Sequence, residues 1–305
     1  MDFVGKRAWF FLASAVAILP GLVFLIIGGG LKPGIDFTGG STTGLEFVSN
    51  VKQATLRAEL TALGYQDAIV QQMDDRAYFV RTKELDEDQK DRLVGNLKTR
   101  LSPDGITVLS FDLVSPVVAA ETVVNAMWAV RAAAVGVFLY VWWAFRNMPS
   151  PLRYGTAAII ALLHDTAVVI GIFAILGVVL EIEVNTMFLI AILTVIGYSV
   201  NDTIVVFDRL RENVLSYPNR SLKANANISV SQSLSRSLNT SLTLLFTLLA
   251  LLLFGGPTIK NFLWVLLIGV VAGTYSSIAI ATPVLMVWEE GDLRRLFRRI
   301  RPSTT

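Results

Sequence analysis

Residues 154–180 read YGTAAIIALLHDTAVVIGIFAILGVVL. Crossing a hydrocarbon core of about 30 Å takes about 20 mostly apolar residues, and only His164 and Asp165 interrupt this run. In lipid every backbone amide must be satisfied inside its own segment, so the run reads as a transmembrane helix. Five more stretches behave alike: 8–30, 123–145 with Arg131 as its one charge, 184–207 with Asp202, and the uncharged 237–256 and 262–288. The chain as a whole agrees. It is 53% hydrophobic but only 16% charged, where a soluble protein carries about 25% charged residues. The expected architecture is a membrane bundle of six helices.

Composition also excludes functions. A net charge of +2 is too small for a nucleic-acid footprint. With no cysteine, disulfides, thiolate metal sites and cysteine nucleophiles are impossible. With one histidine, His164, a histidine-rich metal centre is impossible as well. No metal or organic cofactor is therefore expected.

Lys6 and Arg7 give the first stretch a basic start like that of a signal peptide. Its apolar run is longer than a signal core, and the small residues Ala13-Ser14-Ala15 come too early to follow one, so a retained helix is expected. Orientation follows from Lys and Arg. With the N-terminus in the cytoplasm, the inner pieces hold Lys6 and Arg7, Arg146 and Arg153, Arg209, Arg211, Arg220, Lys223 and Arg236, and finally Arg294, Arg295, Arg298, Arg299 and Arg301. The two short outer loops hold only Lys260. The expected organisation is a first membrane helix in 1–30, an extracytoplasmic domain in 31–120, five helices in 121–290 and a basic cytoplasmic tail in 291–305.

Within the outer segment the apolar period changes. Leu45–Val48 reads as a strand, and Ala54–Leu63 as a helix with Leu56, Leu60 and Leu63 on one face. Ala68–Met73 and Ala77–Lys83 read as strands meeting at Asp74-Asp75. Asp86–Leu101 reads as a helix with Leu93, Leu97 and Leu101 stacked, and Ile106–Leu113 as a last strand. The order β-α-β-β-α-β is that of a small α+β ferredoxin-like domain. Asp86, Glu87, Asp88 and Asp91 sit where a helix N-terminus favours negative charge. Gly34–Gly40, GIDFTGG, lacks the lysine a phosphate loop needs; its glycines suit a tight backbone path.

Function is expected where charge meets lipid. A carboxylate near the bilayer centre costs roughly 2.5–3.5 kcal/mol, and such groups normally face the bundle interior on ion or proton pathways. Asp202 lies in Gly197-Tyr198-Ser199-Val200-Asn201-Asp202-Thr203, about one and a half turns before Phe207. Arg236 opens the fifth span at similar depth, within a polar segment, Ser229–Thr243, whose Ser233, Ser237, Thr240 and Ser241 could hydrate or bridge to Asp202. An Asp202–Arg236 ion pair, closed when the acid is ionised and open when it is protonated, is one expectation; a fixed ion pair that only sets packing is the other. Asp165 lies near the midplane beside His164. The two could relay protons, although adjacent helix residues point about 100° apart and need not touch. Arg131 is expected to snorkel to the outer boundary. Asp208, Arg209, Arg211 and Glu212 form an interfacial cluster. Gly269-Val270-Val271-Ala272-Gly273 suits close packing against a partner or the fourth helix.

The stretch Gly197–Asn213, GYSVNDTIVVFDRLREN, resembles the signature of the SecD/SecF family of bacterial protein-export membrane proteins. GIDFTGG at Gly34–Gly40, the pair His164-Asp165 and GTYSSIAIATP at Gly273–Pro283 match further patterns of that family. The resemblance covers nearly the whole chain and implies the resistance-nodulation-division superfamily and a bacterial cytoplasmic (inner) membrane location. An enzyme with its own hydrolytic active site is not expected, since no nucleophile–base pair or metal cluster appears in the sequence. The resemblance also implies a component of the Sec translocase that, with SecD, uses the proton motive force to promote export. Its implied partners are SecD, the SecYEG channel, YajC, YidC, the translocating unfolded polypeptide and the bilayer. The proton is the implied coupling ion. The family's proton-coupling carboxylate and arginine fall on Asp202 and Arg236, with Asp165 as a further acid and His164, Gly197, Tyr198, Ser199, Asn201 and Thr203 in support. A small-molecule or lipid exporter of the same superfamily is the alternative, and a passive scaffold a third reading. An outer segment of under a hundred residues is small for gathering bulky substrates.

Overall fold

The computed structural model describes residues 2–289; the basic cluster expected in 291–305 lies outside them. Helix α1 (Arg7–Ile27) leads through a short strand β1 (Lys32–Pro33) and one helical turn, α2 (Ile35–Thr38), into the folded domain. There β2 (Gly40–Phe47), α3 (Gln53–Ala62), β3 (Ile69–Gln72), β4 (Ala77–Thr82), α4 (Glu87–Leu101) and β5 (Ile106–Val114) follow in turn. Helices α5 (Pro116–Ala144) and α6 (Pro151–Leu180), strand β6 (Glu183–Val184), α7 (Thr186–Ser216) and α8 (Leu222–Phe254) come next. A last helical stretch is built of α9 (Lys260–Ser276), a π-helical segment (Ser277–Ala281) and α10 (Thr282–Glu289). Among the described residues six helical stretches are long and apolar enough to cross a membrane, so the chain is a multi-pass membrane protein.

The helices outrun the lipid-length stretches. Expected spans ended at 207 and began at 237, yet α7 runs on to Ser216 and α8 starts at Leu222. Apolar length measures lipid thickness, not helix length. Beyond the lipid, α7 is held by the Arg209–Glu212 and Asp208–Arg211 pairs one turn apart. Asn213 Nδ2 joins it to α8 by donating to Ser229 Oγ (2.8 Å) and Gln232 Oε1 (2.9 Å). Likewise α5 starts at Pro116 rather than 123, because Ser115 caps it and proline suits the first helical position. Arg131 lies inside α5 over the Trp128 ring, 5.3 Å from its centroid.

Close packing is set by small residues. A Cβ on Gly21 of α1 would fall 2.3 Å from Gly171 Cα of α6, and one on Gly269 of α9 would fall 2.2 Å from Val195 Cγ2 of α7. Of the two expected neighbours for Gly269 and Gly273, the fourth membrane helix is the one they meet. At the end bearing the N-terminus, Phe145, Tyr154 and Phe207 pack with centroids 5.2–5.9 Å apart.

In the domain the sheet order is β3-β4-β2-β5, every pairing antiparallel, with a register shift between Gly44 and Leu45. Leu56 and Leu60 of α3 and Leu93 and Leu97 of α4 share one core with Leu45, Phe47, Val70, Tyr78 and Val80. Asp86 is the N-cap of α4 in a reciprocal pair with Gln89.

The domain is seated on the membrane helices by its entry segment. Strand β1 pairs in parallel with β6, the Gly34 amide donates to Val184 O (2.7 Å) and the Thr186 amide donates to Asp36 Oδ2 (2.7 Å). Arg81 of β4 donates to Glu183 Oε1 and to Pro33 O, both at 2.7 Å, and to Thr38 Oγ1 at 2.9 Å. Arg57 pairs with Glu181, and Lys260 Nζ with Asp74 Oδ2 at 3.0 Å. Burial pushes the Glu183 carboxyl above its ordinary range despite the Arg81 charge. Gly40, at φ +118°, leaves no room for a Cβ, which would meet Thr82 O at 2.7 Å.

Candidate functional site

Two carboxylates lie inside the bundle: Asp165 of α6 at 1% exposure and Asp202 of α7 at 7%. The helical repeat explains their company. Ser199, Asp202 and Thr203 share one face of α7, and Ser233, Ser237 and Ser241 one face of α8.

Asp202 Oδ1 accepts from Ser237 Oγ at 2.6 Å. Its Oδ2 is buried with no hydrogen-bond partner. Ser277 lies beside this carboxylate, but its hydroxyl is turned to Gly273 O (2.8 Å) and Thr203 Oγ1 (3.0 Å). Below it runs a hydroxyl ladder: Ser241 Oγ meets Thr274 Oγ1 (2.6 Å) and Tyr198 Oη (2.8 Å).

Arg236 is placed otherwise than the expected ion pair requires. It is exposed, and neither Asp202 oxygen is bonded to it. The helix explains this: Ser237 faces Asp202, so Arg236, one residue earlier, points about 100° away. Thr240 is also exposed, its hydroxyl bonded to the Arg236 carbonyl (3.0 Å). Gly197 and Asn201 lie on an open side of α7, and a Cβ on Gly197 would touch nothing within 4 Å.

Asp165 and His164 do touch, although neighbours on a helix need not: His164 Nδ1 lies 3.0 Å from Asp165 Oδ1. Asp165 Oδ2 accepts from Ser199 Oγ (2.5 Å) and Ser276 Oγ (2.8 Å). His164 Nε2 lies 2.9 Å from Ser14 Oγ, which donates to Tyr275 Oη (3.2 Å), which donates to Phe10 O (2.7 Å). Ser14, Tyr275, Ser276 and Ser277 escaped sequence reasoning as site residues. The last three fall in a small, apolar run that signals packing, and Ser14 stands 150 residues from its histidine.

The adjacent Ser276 and Ser277 stand where α9 passes into the π-helical segment. One serves Asp165, the other the face of α7 that carries Thr203. A widened turn of this kind is frequent at functional positions. Among the described residues no group of three or more metal-ligating side chains occurs.

The family described as "Protein export membrane protein SecD/SecF, C-terminal" matches residues 94–291. The protein translocase subunit SecF of Thermobaculum terrenum is 44% identical over 99% of this chain and 98% of that one. The one of Anaerolinea thermophila is 43% identical over 98% and 97%. Among solved structures, SecDF from Thermus thermophilus, a translocon-associated membrane protein, aligns with a TM-score of 0.85 at 32% identity, covering 95% of this chain and 39% of that one. SecDF in its Super-membrane-facing form aligns at 0.66, covering 98% of this chain and 40% of that one. The chain thus spans about two fifths of SecDF and nearly all of each SecF. Six apolar helices around buried carboxylates, and likeness along its full length, make this chain a member of the SecD/SecF family of protein-export membrane proteins.

Proposed function

We propose that this chain is the SecF half of a proton-driven protein-export device that works with SecD in the Sec translocase. The observation that carries the reading is Asp202, a buried acid whose Oδ1 is held by Ser237 and whose Oδ2 has no partner. An acid in that state has a free position for a proton at membrane depth, where an unpaired charge is costly. Asp202 takes the proton from outside and releases it inside, and Asp165 is the second acid on the path. Ionised, Asp202 attracts Arg236; for a closed ion pair α8 must turn about its axis, since Arg236 now points away. That turn is the two-state element of the cycle. One charge crossing 100 mV yields roughly 2.3 kcal/mol, several times the worth of an exposed ion pair. The proton is the coupling ion, and the chain needs no hydrolytic site of its own.

SecD supplies the other half of the bundle, in line with the fraction of SecDF this chain spans and with the open side of α7 at Gly197 and Asn201. SecYEG, YajC and YidC are further neighbours in this reading, and the unfolded chain is its cargo. Both termini are cytoplasmic, supported by the Lys and Arg distribution. The domain in 31–120 is extracytoplasmic and ferredoxin-like, supported by its strand order β3-β4-β2-β5 with both helices on one face; helix 1–30 precedes it and helices in 121–290 follow.

The test is Asp202→Asn in a strain lacking the native gene. Proton-dependent secretion is lost while the variant protein accumulates in the membrane at normal levels. Secretion at the wild-type rate in that strain overturns the reading.

A further inference from the structure

The hydrogen bonds around His164 have a direction, and the direction counts protons. Tyr275 Oη donates to the Phe10 carbonyl at 2.7 Å, so its oxygen can only accept from Ser14. Ser14 Oγ has one hydrogen and gives it to Tyr275. Its bond with His164 Nε2, at 2.9 Å, must then use a hydrogen on Nε2. On the far side, Asp165 Oδ2 accepts from two hydroxyls, Ser199 and Ser276. Between Asp165 Oδ1 and His164 Nδ1, 3.0 Å apart, one further proton is needed, because two bare acceptors repel.

We propose that His164 and Asp165 together form a proton-binding site, holding one proton between Nδ1 and Oδ1 while a second sits on Nε2. The pair is then electrically neutral, as imidazolium with carboxylate or as imidazole with carboxylic acid; the proton only changes owner between these forms. A plain carboxylate beside a neutral imidazole lacks one of these two protons. It would leave a net negative charge among side chains of which His164 is 8% and Asp165 2% exposed, the kind of burial that lipid surroundings penalise.

The groups facing the pair fit this assignment. From α1 come Ser14 and the Phe10 carbonyl, from α7 Ser199, and from α9 Tyr275 and Ser276. Asp202, one turn beyond Ser199 on α7, is the nearest further acid along that helix. Releasing the proton requires Ser14 to turn its hydrogen to Nε2 and abandon Tyr275, which removes one of the two hydrogen bonds between α1 and Tyr275 of α9 and leaves the one to the Phe10 carbonyl. The bound proton therefore adds one hydrogen bond between α1 and α9. That this matters for transport rests on the reading of Asp165 above; where the proton sits does not.

His164 is the one histidine of the chain, so 15N-histidine labelling gives a single imidazole in solid-state NMR spectra of the full chain in bilayers. At neutral pH, Nε2 is expected to resonate as a protonated nitrogen. A bare, pyridine-type Nε2 in the wild type overturns the proposal. In Tyr275→Phe, Ser14 loses its acceptor and is free to donate to Nε2, so part of the Nε2 signal moves to the bare type. An unmoved signal in that variant overturns the hydrogen-bond direction on which the count rests. Neither readout involves transport, so an active Asp202→Asn strain would leave this result standing.

Discussion

Single residues decide how close the helices come. The contact of α1 with α6 passes through two glycines, and a methyl group on Gly21 would fall 2.3 Å from the Gly171 Cα. Backbone cannot step aside as a rotamer can, so Gly21→Ala is expected to cost about 1–3 kcal/mol by overpacking and to loosen α1. Gly197→Ala meets open space and removes a helix-interior glycine, which by itself favours the helix by up to about 1 kcal/mol. Thermal unfolding of the two variants in detergent should therefore shift in opposite directions. The small residues of the last span, Gly269 and Gly273, were legible as packing residues from their spacing. Gly21 was not, because its partner Gly171 lies far along the chain, the six elements of the folded domain and a whole membrane helix later.

Among elements, the π-helical segment is the one with the clearest work. It leaves the Gly273 carbonyl open to both serine hydroxyls, Ser276 at 3.2 Å and Ser277 at 2.8 Å, and sends these side chains toward different helices. Deleting Ile278 removes the extra residue and restores an ordinary helical repeat. The variant is expected to keep its helix content by circular dichroism yet lose proton-dependent secretion, since Asp165 and the Thr203 face can no longer be served together. Full secretion would show the widened turn to be mere tolerance. Apolar length located this span at 262–288, within two residues of Lys260–Glu289. It could not reveal the π turn, because hydropathy is blind to hydrogen-bond register.

For the whole molecule, the seat between domain and membrane helices is set by Arg81 and Glu183. Burial raises the Glu183 carboxyl above its ordinary range, so the seated form binds a proton more readily than an unseated one. Linkage then fixes the sign: seating is strongest below the ordinary carboxylate range and weakens as pH rises through the raised value. Hydrogen exchange at the Gly34 and Thr186 amides, corrected for intrinsic rates, should show protection falling as pH rises above the ordinary carboxylate range, and Glu183→Gln should flatten the trend. Arg81→Ala leaves Glu183 without its cation and costs about 1–3 kcal/mol of seating; unchanged protection in that variant would remove Arg81 from the seat.

Much was settled by the sequence alone. Apolar runs of bilayer length place six helices, and period-two and period-3.6 patterns place the strands and helices between the first two. These signals are local: lipid thickness and side-chain geometry act on neighbours in the chain. The buried acids were legible too, because Asp165 and Asp202 stand out against an uncharged background. Their partners were legible only in part: the polar face of the fifth span was expected to bridge to Asp202, as Ser237 does. That Arg236 points away, and that His164 is wired through Ser14 to Tyr275, depends on how helices distant in sequence rotate against one another. That rotation is chosen by packing at contacts such as Gly21–Gly171 and Gly269–Val195, which exist only once the bundle has assembled.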